Sequence, residues 1–430
     1  MRQFTCAICG CGSRGYSAYG AYIANHSDRV KIVACADIRP ERLKMMQETH
    51  GVPESACYNS GMEMLDQPKL ADIMVIAIQD QDHVSHAIRA MQQGYDVICE
   101  KPISPNLGEC IALQEAAHKY GRHILICHVL RYAPFFTTIK SLIMDGAIGQ
   151  IMNIDMVEHV QYWHQAHSFV RGNWRRSDTT SPMILAKSCH DMDMLRWLMD
   201  CHCESVSSFG DLSFFNADHA PVGAAMRCLD CKYVDTCEFS AKKLYITGKR
   251  HGVANGITYW PVDVVASHPT VESVTEALKE GPYGRCVFHC DNDVVDHQVV
   301  AMKFETGAVA TFTMSAFCNS GARTIEIMGT KGDIRADMTG DKIILSQFGQ
   351  ESREISLENE FDKFAGHGGG DGRLFTNFMD LLEGKTDEKR TSVDASVESH
   401  VMALAAEYSR VHGGQCINLD DFVKNNGYAE

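Results

Sequence analysis

The chain has 430 residues, with 40 lysines and arginines against 55 aspartates and glutamates for a formal net charge of −15. Two domains with their own cores are expected, a single disulfide-stapled module is excluded, and an acidic surface argues against a nucleic-acid partner. Hydrophobic residues at 45% and charged residues at 22% are ordinary globular usage, and no apolar run approaches the ~20 residues that cross a bilayer, so a soluble chain with no membrane partner is expected.

Met1-Arg2-Gln3-Phe4-Thr5 leads straight into an apolar strand-like run, too short and wrongly flanked for a secretory signal. A cytoplasmic location follows as an expectation. Cys6, Cys9, Cys35, Cys99 and Cys127, five of eighteen cysteines, lie inside apolar strand patterns, as reduced core thiols do.

Over the first 130 residues, short apolar runs alternate with amphipathic helical segments, the pattern of parallel strands joined by right-handed crossovers in a doubly wound sheet. Strands are expected at 4–9, 31–37, 72–78, 96–99 and 123–127, with helices starting near Arg14, Pro40, His83 and Leu107. Pro40 suits a first helical turn, where its missing N–H removes a donor without an intrahelical partner. After Arg131-Tyr132-Ala133-Pro134 a helix-like segment runs to Asp145 and Gly146, and longer alternating strands begin at 151–157. A second domain starts here. Strands at 294–305, 307–317 and 323–328, joined by short turns at Thr306-Gly307 and Gly329-Thr330-Lys331-Gly332, imply an antiparallel or mixed sheet. A glycine-dense loop at 366–372 precedes a helix at 374–382.

Cys9-Gly10-Cys11-Gly12-Ser13-Arg14-Gly15 leaves the first strand and enters the first helix. In that context Gly10 permits a tight turn, Gly12 lets backbone approach a pyrophosphate and Gly15 allows close helix–sheet packing, with Ser13 and Arg14 at the same cofactor site. Asp37 ends the second strand 22 positions beyond Gly15, close to the ~20-residue offset of a ribose-binding carboxylate. A carboxylate repels a 2′-phosphate, so NAD is favoured over NADP. Arg39 stands open as either a phosphate clamp or a surface charge.

Glu100-Lys101-Pro102 closes the strand at 96–99. With the glycine motif, Asp37, the segment from His128 to Pro134 and a His190-x-x-Asp193 pairing before an apolar helix, it resembles the Gfo/Idh/MocA oxidoreductases over most of the chain. The resemblance implies an N-terminal Rossmann domain (1–132) and a C-terminal α/β domain (133–430) with a large open, mainly antiparallel sheet. That sheet often packs against another subunit in the family, so a homodimer or homotetramer is implied. It further implies pyridine-nucleotide chemistry on a sugar, cyclitol or related polyol, with Glu100 and Lys101 beside the cofactor. Lys101 would stabilise alkoxide character, and His190, which titrates near neutrality, would take the hydroxyl proton. The family usually carries an aspartate four residues before this histidine; Ala186 stands here instead. Lys187 is therefore a third catalytic candidate, with exposure on the helix approach as its alternative, and Asp191 or Asp193 could orient His190.

Between the domains' signals lies a run rich in sugar-binding side chains: Tyr162, Trp163, His164, His167, Arg171, Trp174, Arg175 and Arg176. Aromatics stack on a pyranose face and guanidinium forks bind hydroxyls or a carboxylate, hinting at an acidic sugar; a basic loop paired to an acidic surface is the alternative. His128, Arg131, Tyr132 and Asp191 are further substrate-side candidates. Cys228, Cys231 and Cys237, in an insertion around 220–245, have the spacing of a structural zinc site, with a fourth ligand from Cys286, Cys290 or His289; free thiols are the alternative. Asp291-Asn292-Asp293 reads as a turn. His367 and Asp371 stand in the glycine-dense loop, with a helix cap as the alternative for Asp371.

Three functions are open at this stage. The first is an NAD-dependent dehydrogenase acting on a sugar, sugar acid or glycoside hydroxyl. The second is an NAD-retaining enzyme that cleaves glycosides by transient oxidation and elimination. The third is a non-enzymatic NAD or sugar sensor.

Overall fold

The computed structural model describes residues 3–357, 366–388 and 390–426; Met1 and Arg2, the start of the segment read above as lacking a signal, lie outside them. Six strands form a parallel sheet: β1 (Phe4–Cys9), β2 (Val30–Ala36), β3 (Cys57–Tyr58), β4 (Ile73–Ile76), β5 (Asp96–Cys99) and β6 (Ile124–Ile126), in the order β3-β2-β1-β4-β5-β6. This is the doubly wound order, whose ligand crevice lies at the carboxyl ends of the strands where the order reverses. β4, β5 and β6 are buried along their whole length, as continuous apolar runs covered on both faces must be. Pro40 opens the helix Pro40–His50, and the Asn106 side chain caps Leu107–Tyr120.

Nine strands make the second sheet: β7 (Ile151–Gln161), β8 (Cys203–Asp211), β9 (His297–Phe304), β10 (Val309–Cys318), β11 (Ala322–Gly329), β12 (Gly332–Asp337), β13 (Lys342–Gln347), β14 (Arg353–Ser356) and β15 (Ile417–Asn418). Their order is β14-β13-β12-β11-β7-β10-β9-β8-β15. β7 and β10 are parallel and the other pairs antiparallel. β9 alternates exposed and buried residues throughout, so one face of the sheet meets the core and the other meets solvent.

Two departures from the simple reading matter for the site. The chain leaves the sheet after β8 and returns only at β9, so residues 212–296 form one long excursion with its own small core around Tyr245, Val262, Val274 and Leu278. The helix Gly370–Leu382 turns back to the first sheet, where Leu374, Phe375, Phe378 and Met379 share a core with Phe4, Ile8 and Tyr19. Its first turn thereby reaches the glycine motif.

Candidate functional site

At the end of β1 the chain turns with Gly10 at φ +91°, where a Cβ would stand 2.3 Å from the Ala77 carbonyl oxygen. A Cβ on Gly15 would stand 1.9 Å from the Gly10 carbonyl oxygen. Only glycine fits either place. Gly12 is extended and precedes the helical segment Ser13–Gly20, which continues into Ala21–Asn25. Asp37, 7% exposed, accepts the Cys11 N–H at 2.8 Å and the Arg39 N–H at 2.9 Å, and pairs with Arg42 at 3.3 Å. The carboxylate is thus fixed against the glycine turn. Gly15→Ala should abolish measurable NADH binding, because no rotamer relieves a clash between a Cβ and backbone; titrating NADH fluorescence against the variant checks it.

A polar cluster extends from this turn. Arg14 donates to Glu100 at 2.5 Å and forks onto Asp371 at 2.7 and 3.1 Å, and the Tyr19 hydroxyl donates to Glu100 at 2.6 Å. Burial pushes the Glu100 carboxyl up, but Arg14 and then Lys101 outweigh it and hold it below the usual range. Asp371 also pairs with His367 at 3.1 Å, and the His367 and His190 rings lie 5.5 Å apart.

Lys101 follows β5, and its ammonium donates to the Ala186 carbonyl at 2.8 Å. Backbone oxygen thus meets the lysine at the position where an aspartate is absent. His190, 3% exposed, lies in the first turn of the helix Cys189–Met199, with Nδ1 lacking a hydrogen-bond partner in the protein. Burial, then the charges of Lys101, His367 and Arg323, hold its imidazole far below the usual value. It is therefore a neutral base facing cations.

The same helix is pinned by two buried ion pairs. Asp191 takes a bidentate fork from Arg323 at 2.6 and 3.1 Å, and Arg323 also reaches Glu158, its cross-strand partner on β7, at 2.9 Å. Lys187 closes the chain on Glu158 at 3.2 Å. Asp193 takes the fork of Arg131 at 2.7 and 2.8 Å.

A family model described as an oxidoreductase family with an NAD-binding Rossmann fold matches residues 4–128, and its companion, the C-terminal alpha/beta domain, matches residues 140–415. The chain belongs to the Gfo/Idh/MocA oxidoreductase family. It is 24% identical over 420 residues to the Bacillus subtilis protein named "Putative oxidoreductase YteT", with 93% of each chain covered. An inositol 2-dehydrogenase of Acidothermus cellulolyticus is 24% identical over 204 residues, 45% of this chain and 54% of that one, so the match spans about half of each. Among solved structures, the WlbA dehydrogenase of Bordetella pertussis in complex with NADH and UDP-GlcNAcA superposes with a TM-score of 0.66 at 18% identity, over 97% of this chain and 99% of that one; it speaks for the fold.

The glycine cradle and the Asp37 carboxylate fit the dinucleotide that the Gfo/Idh/MocA fold implies. Gly10, Gly12, Ser13, Gly15 and Asp37 would hold it, and Lys101 and His190 stand together with His164, whose imidazole is held far down by burial and by Lys187 and Lys101. Several residues expected at the site are engaged elsewhere. Arg14 is forked onto Glu100 and Asp371, and Arg42 rather than the exposed Arg39 side chain meets Asp37. Arg131 is spent on Asp193, Asp191 on Arg323 and Lys187 on Glu158. Tyr132 is a core residue whose hydroxyl meets Thr391 and Asn377. Arg171 is wholly buried against the excursion. Arg175 forks onto Asp291, Arg176 pairs with Asp178, and the Trp174 indole N–H donates to Asp80 at 3.3 Å. The hint of an acidic sugar from Arg175 and Arg176 therefore loses its basis. His128 is fully buried between His190 and His400.

Tyr162 and Trp163 do line an open cavity of about 500 Å³, shared with Phe239, Lys243, Arg250 and His251. His251 lies over the Trp163 ring at 4.0 Å. Arg42, Glu158 and Arg323 escaped sequence reasoning because nothing in their local pattern separates them from surface charges. Among the described residues no three histidine, cysteine, aspartate or glutamate side chains stand close enough to hold a metal ion as placed, so Cys228, Cys231 and Cys237 do not form a ready site. Among the described residues no disulfide is formed, and no helix is long and apolar enough to cross a membrane.

Proposed function

We propose that the protein is an NAD-dependent dehydrogenase acting on a secondary hydroxyl of a sugar, sugar acid or glycoside. The observation that carries this reading is the pairing of a cation, Lys101, with a buried neutral imidazole, His190, at the carboxyl end of β5 beside the glycine cradle. Bound there, the nicotinamide supplies the hydride acceptor. The ammonium of Lys101 spends one of its three N–H donors on Ala186 and keeps two for the alcohol oxygen, whose developing negative charge it stabilises. His190 takes the hydroxyl proton; its depressed pKa keeps the imidazole free to accept it. Lys187, paired with Glu158, stays outside the proton transfer.

The aromatic and basic lining of the cavity at Trp163 suits a carbohydrate's apolar face and its hydroxyls or carboxylate. Asp37 supports NAD over NADP. The same reading carries a homodimer or homotetramer, supported by the exposed cross-strand pair Phe209 and Val299 on β8 and β9, with Val309 exposed further along the same face on β10.

A carbohydrate and glycoside panel with NAD and with NADP, read in parallel for cofactor reduction and aglycone release, tests the proposal. Net reduction of NAD by a member of the panel is the expected result. Aglycone release without accumulated NADH would replace it with transient oxidation, and cofactor binding with no hydride exchange on any sugar would leave a sensor.

A further inference from the structure

The excursion at 212–296 holds a feature the redox reading does not use. Cys228, Cys231, Cys237 and Cys286 line one small cavity of about 20 Å³, together with Tyr233, Ser240 and Phe288. The backbone brings the first and last of these thiols together. Arg227 and Arg285 form an antiparallel bridge, the Cys228 N–H donates to Gly284 at 2.8 Å and the Cys286 N–H to Met226 at 2.9 Å. Cys228 and Cys286 each follow a bridged arginine, so both side chains leave the ladder on the same face. Cys231 follows in a turn closed by its own N–H on the Cys228 carbonyl, and the Cys237 N–H closes another on Tyr233.

A second observation is independent of the spacing. Arg171, 0% exposed, donates to the Arg285 and Phe239 carbonyls at 2.7 Å each and to Cys228 Sγ at 3.4 Å, and its Nη1 has no partner. No carboxylate is among those partners. A guanidinium buried without an anion is costly, and the ionisable groups beside it are the Cys228 and Cys290 thiols and the Tyr245 phenol, whose titration burial pushes up, so the thiols are the readier anions.

We propose that Cys228, Cys231, Cys237 and Cys286 bind a single thiophilic divalent cation, zinc by preference, as a closed tetrathiolate site. As placed, the Cys228 S–H is directed at the Arg285 carbonyl at 3.7 Å, and the four side chains do not stand as a group that could already hold an ion. Binding forms four metal–sulfur bonds and releases four protons with no change of oxidation state. The resulting site carries two negative charges, and Arg171 neutralises one. Four thiols around one small cavity match the four ligands of a single tetrahedral ion. The need is structural: the excursion's core is small and its regular helices are Val262–Val265 and Val271–Glu280, and small modules of this kind rely on metal or disulfide staples. The site is independent of the dehydrogenase reading.

The test uses the full chain, purified under reducing conditions without chelator and with any tag removed. Elemental analysis should return about one zinc per chain, released when a mercurial titrates the thiols. Cys231→Ser and Cys237→Ser should lose the metal, whereas Cys290→Ser, whose sulfur is outside the cavity, should keep it. Should the serine variants fail to fold, wild-type protein loaded with cobalt should show the tetrahedral d–d and sulfur-to-cobalt charge-transfer bands of a tetrathiolate. Trace metal in wild-type protein after loading with zinc or cobalt, a Cys228–Cys231 disulfide in the reduced preparation, or equal loss from Cys290→Ser would overturn the proposal.

Discussion

Lys101→Met is expected to lower kcat by about 10²–10⁴-fold while changing the NADH dissociation constant only a few-fold, because what it removes is charge stabilisation in the transition state. Methionine keeps most of the stem's volume and deletes the ammonium. Two contributions then vanish together. The alkoxide forming on the substrate loses its cation, and His190 loses the charge that, after burial, does most to keep it neutral. The second loss raises the imidazole pKa, so the variant's pH–rate profile should move its acidic limb upward. Single-turnover hydride transfer and NADH titration separate the two effects from binding. A variant with near-normal kcat and an unchanged limb would remove Lys101 from the reaction.

Arg323→Met is expected to destabilise the fold by about 3–5 kcal/mol at neutral pH, the cost of leaving buried carboxylates without their cation. Arg323 lies between Asp191 and Glu158, and Lys187 reaches only Glu158. Burial raises the Asp191 carboxyl most, Arg323 opposes it, and Glu158 adds to the rise, leaving it at about 6 even with the arginine present. Without the arginine it must rise further. A carboxyl whose native pKa exceeds its unfolded value contributes stability that is complete below the unfolded value and lost as pH rises through the native one. The variant's deficit should therefore be smaller at about pH 5.5 than at about pH 8, where Asp191 must ionise to match the unfolded chain. Urea unfolding of both proteins at the two pH values reads this. An equal deficit at both, or a larger one at the lower pH, would show that Asp191 is not the group left exposed.

The first sheet was legible because its signals are local. Strand-length apolar runs, a glycine motif between strand and helix, and Asp37 at the following strand's end all lie within a few tens of residues. The position of Lys101 just past a strand end was legible for the same reason, as part of a triplet following β5. Arg131, Arg171 and Asp191 were not, since a guanidinium or carboxylate destined for a buried pair is written like one destined for a ligand. Their partners, Asp193, the carbonyls of Phe239 and Arg285, and Arg323, are brought in only by the tertiary fold. The return of Gly370–Leu382 to the first sheet was equally hidden, because an amphipathic helix does not record which core receives it. β12, β13 and β14 are short strands following turns, and β8 is separated from β9 by the long excursion; neither period nor spacing announced that they belong to one sheet. His164 was noted only as one aromatic-rich residue among many, and its neighbours Lys101 and Lys187 give it its place.

A crystal structure of the protein with NADH and a polyol bears most directly on the reaction. The polyol oxygen on the carbon facing the nicotinamide should lie within hydrogen-bond reach of both Lys101 Nζ and the His190 imidazole. A ring seated in the cradle with that oxygen contacting neither side chain would contradict the assignment.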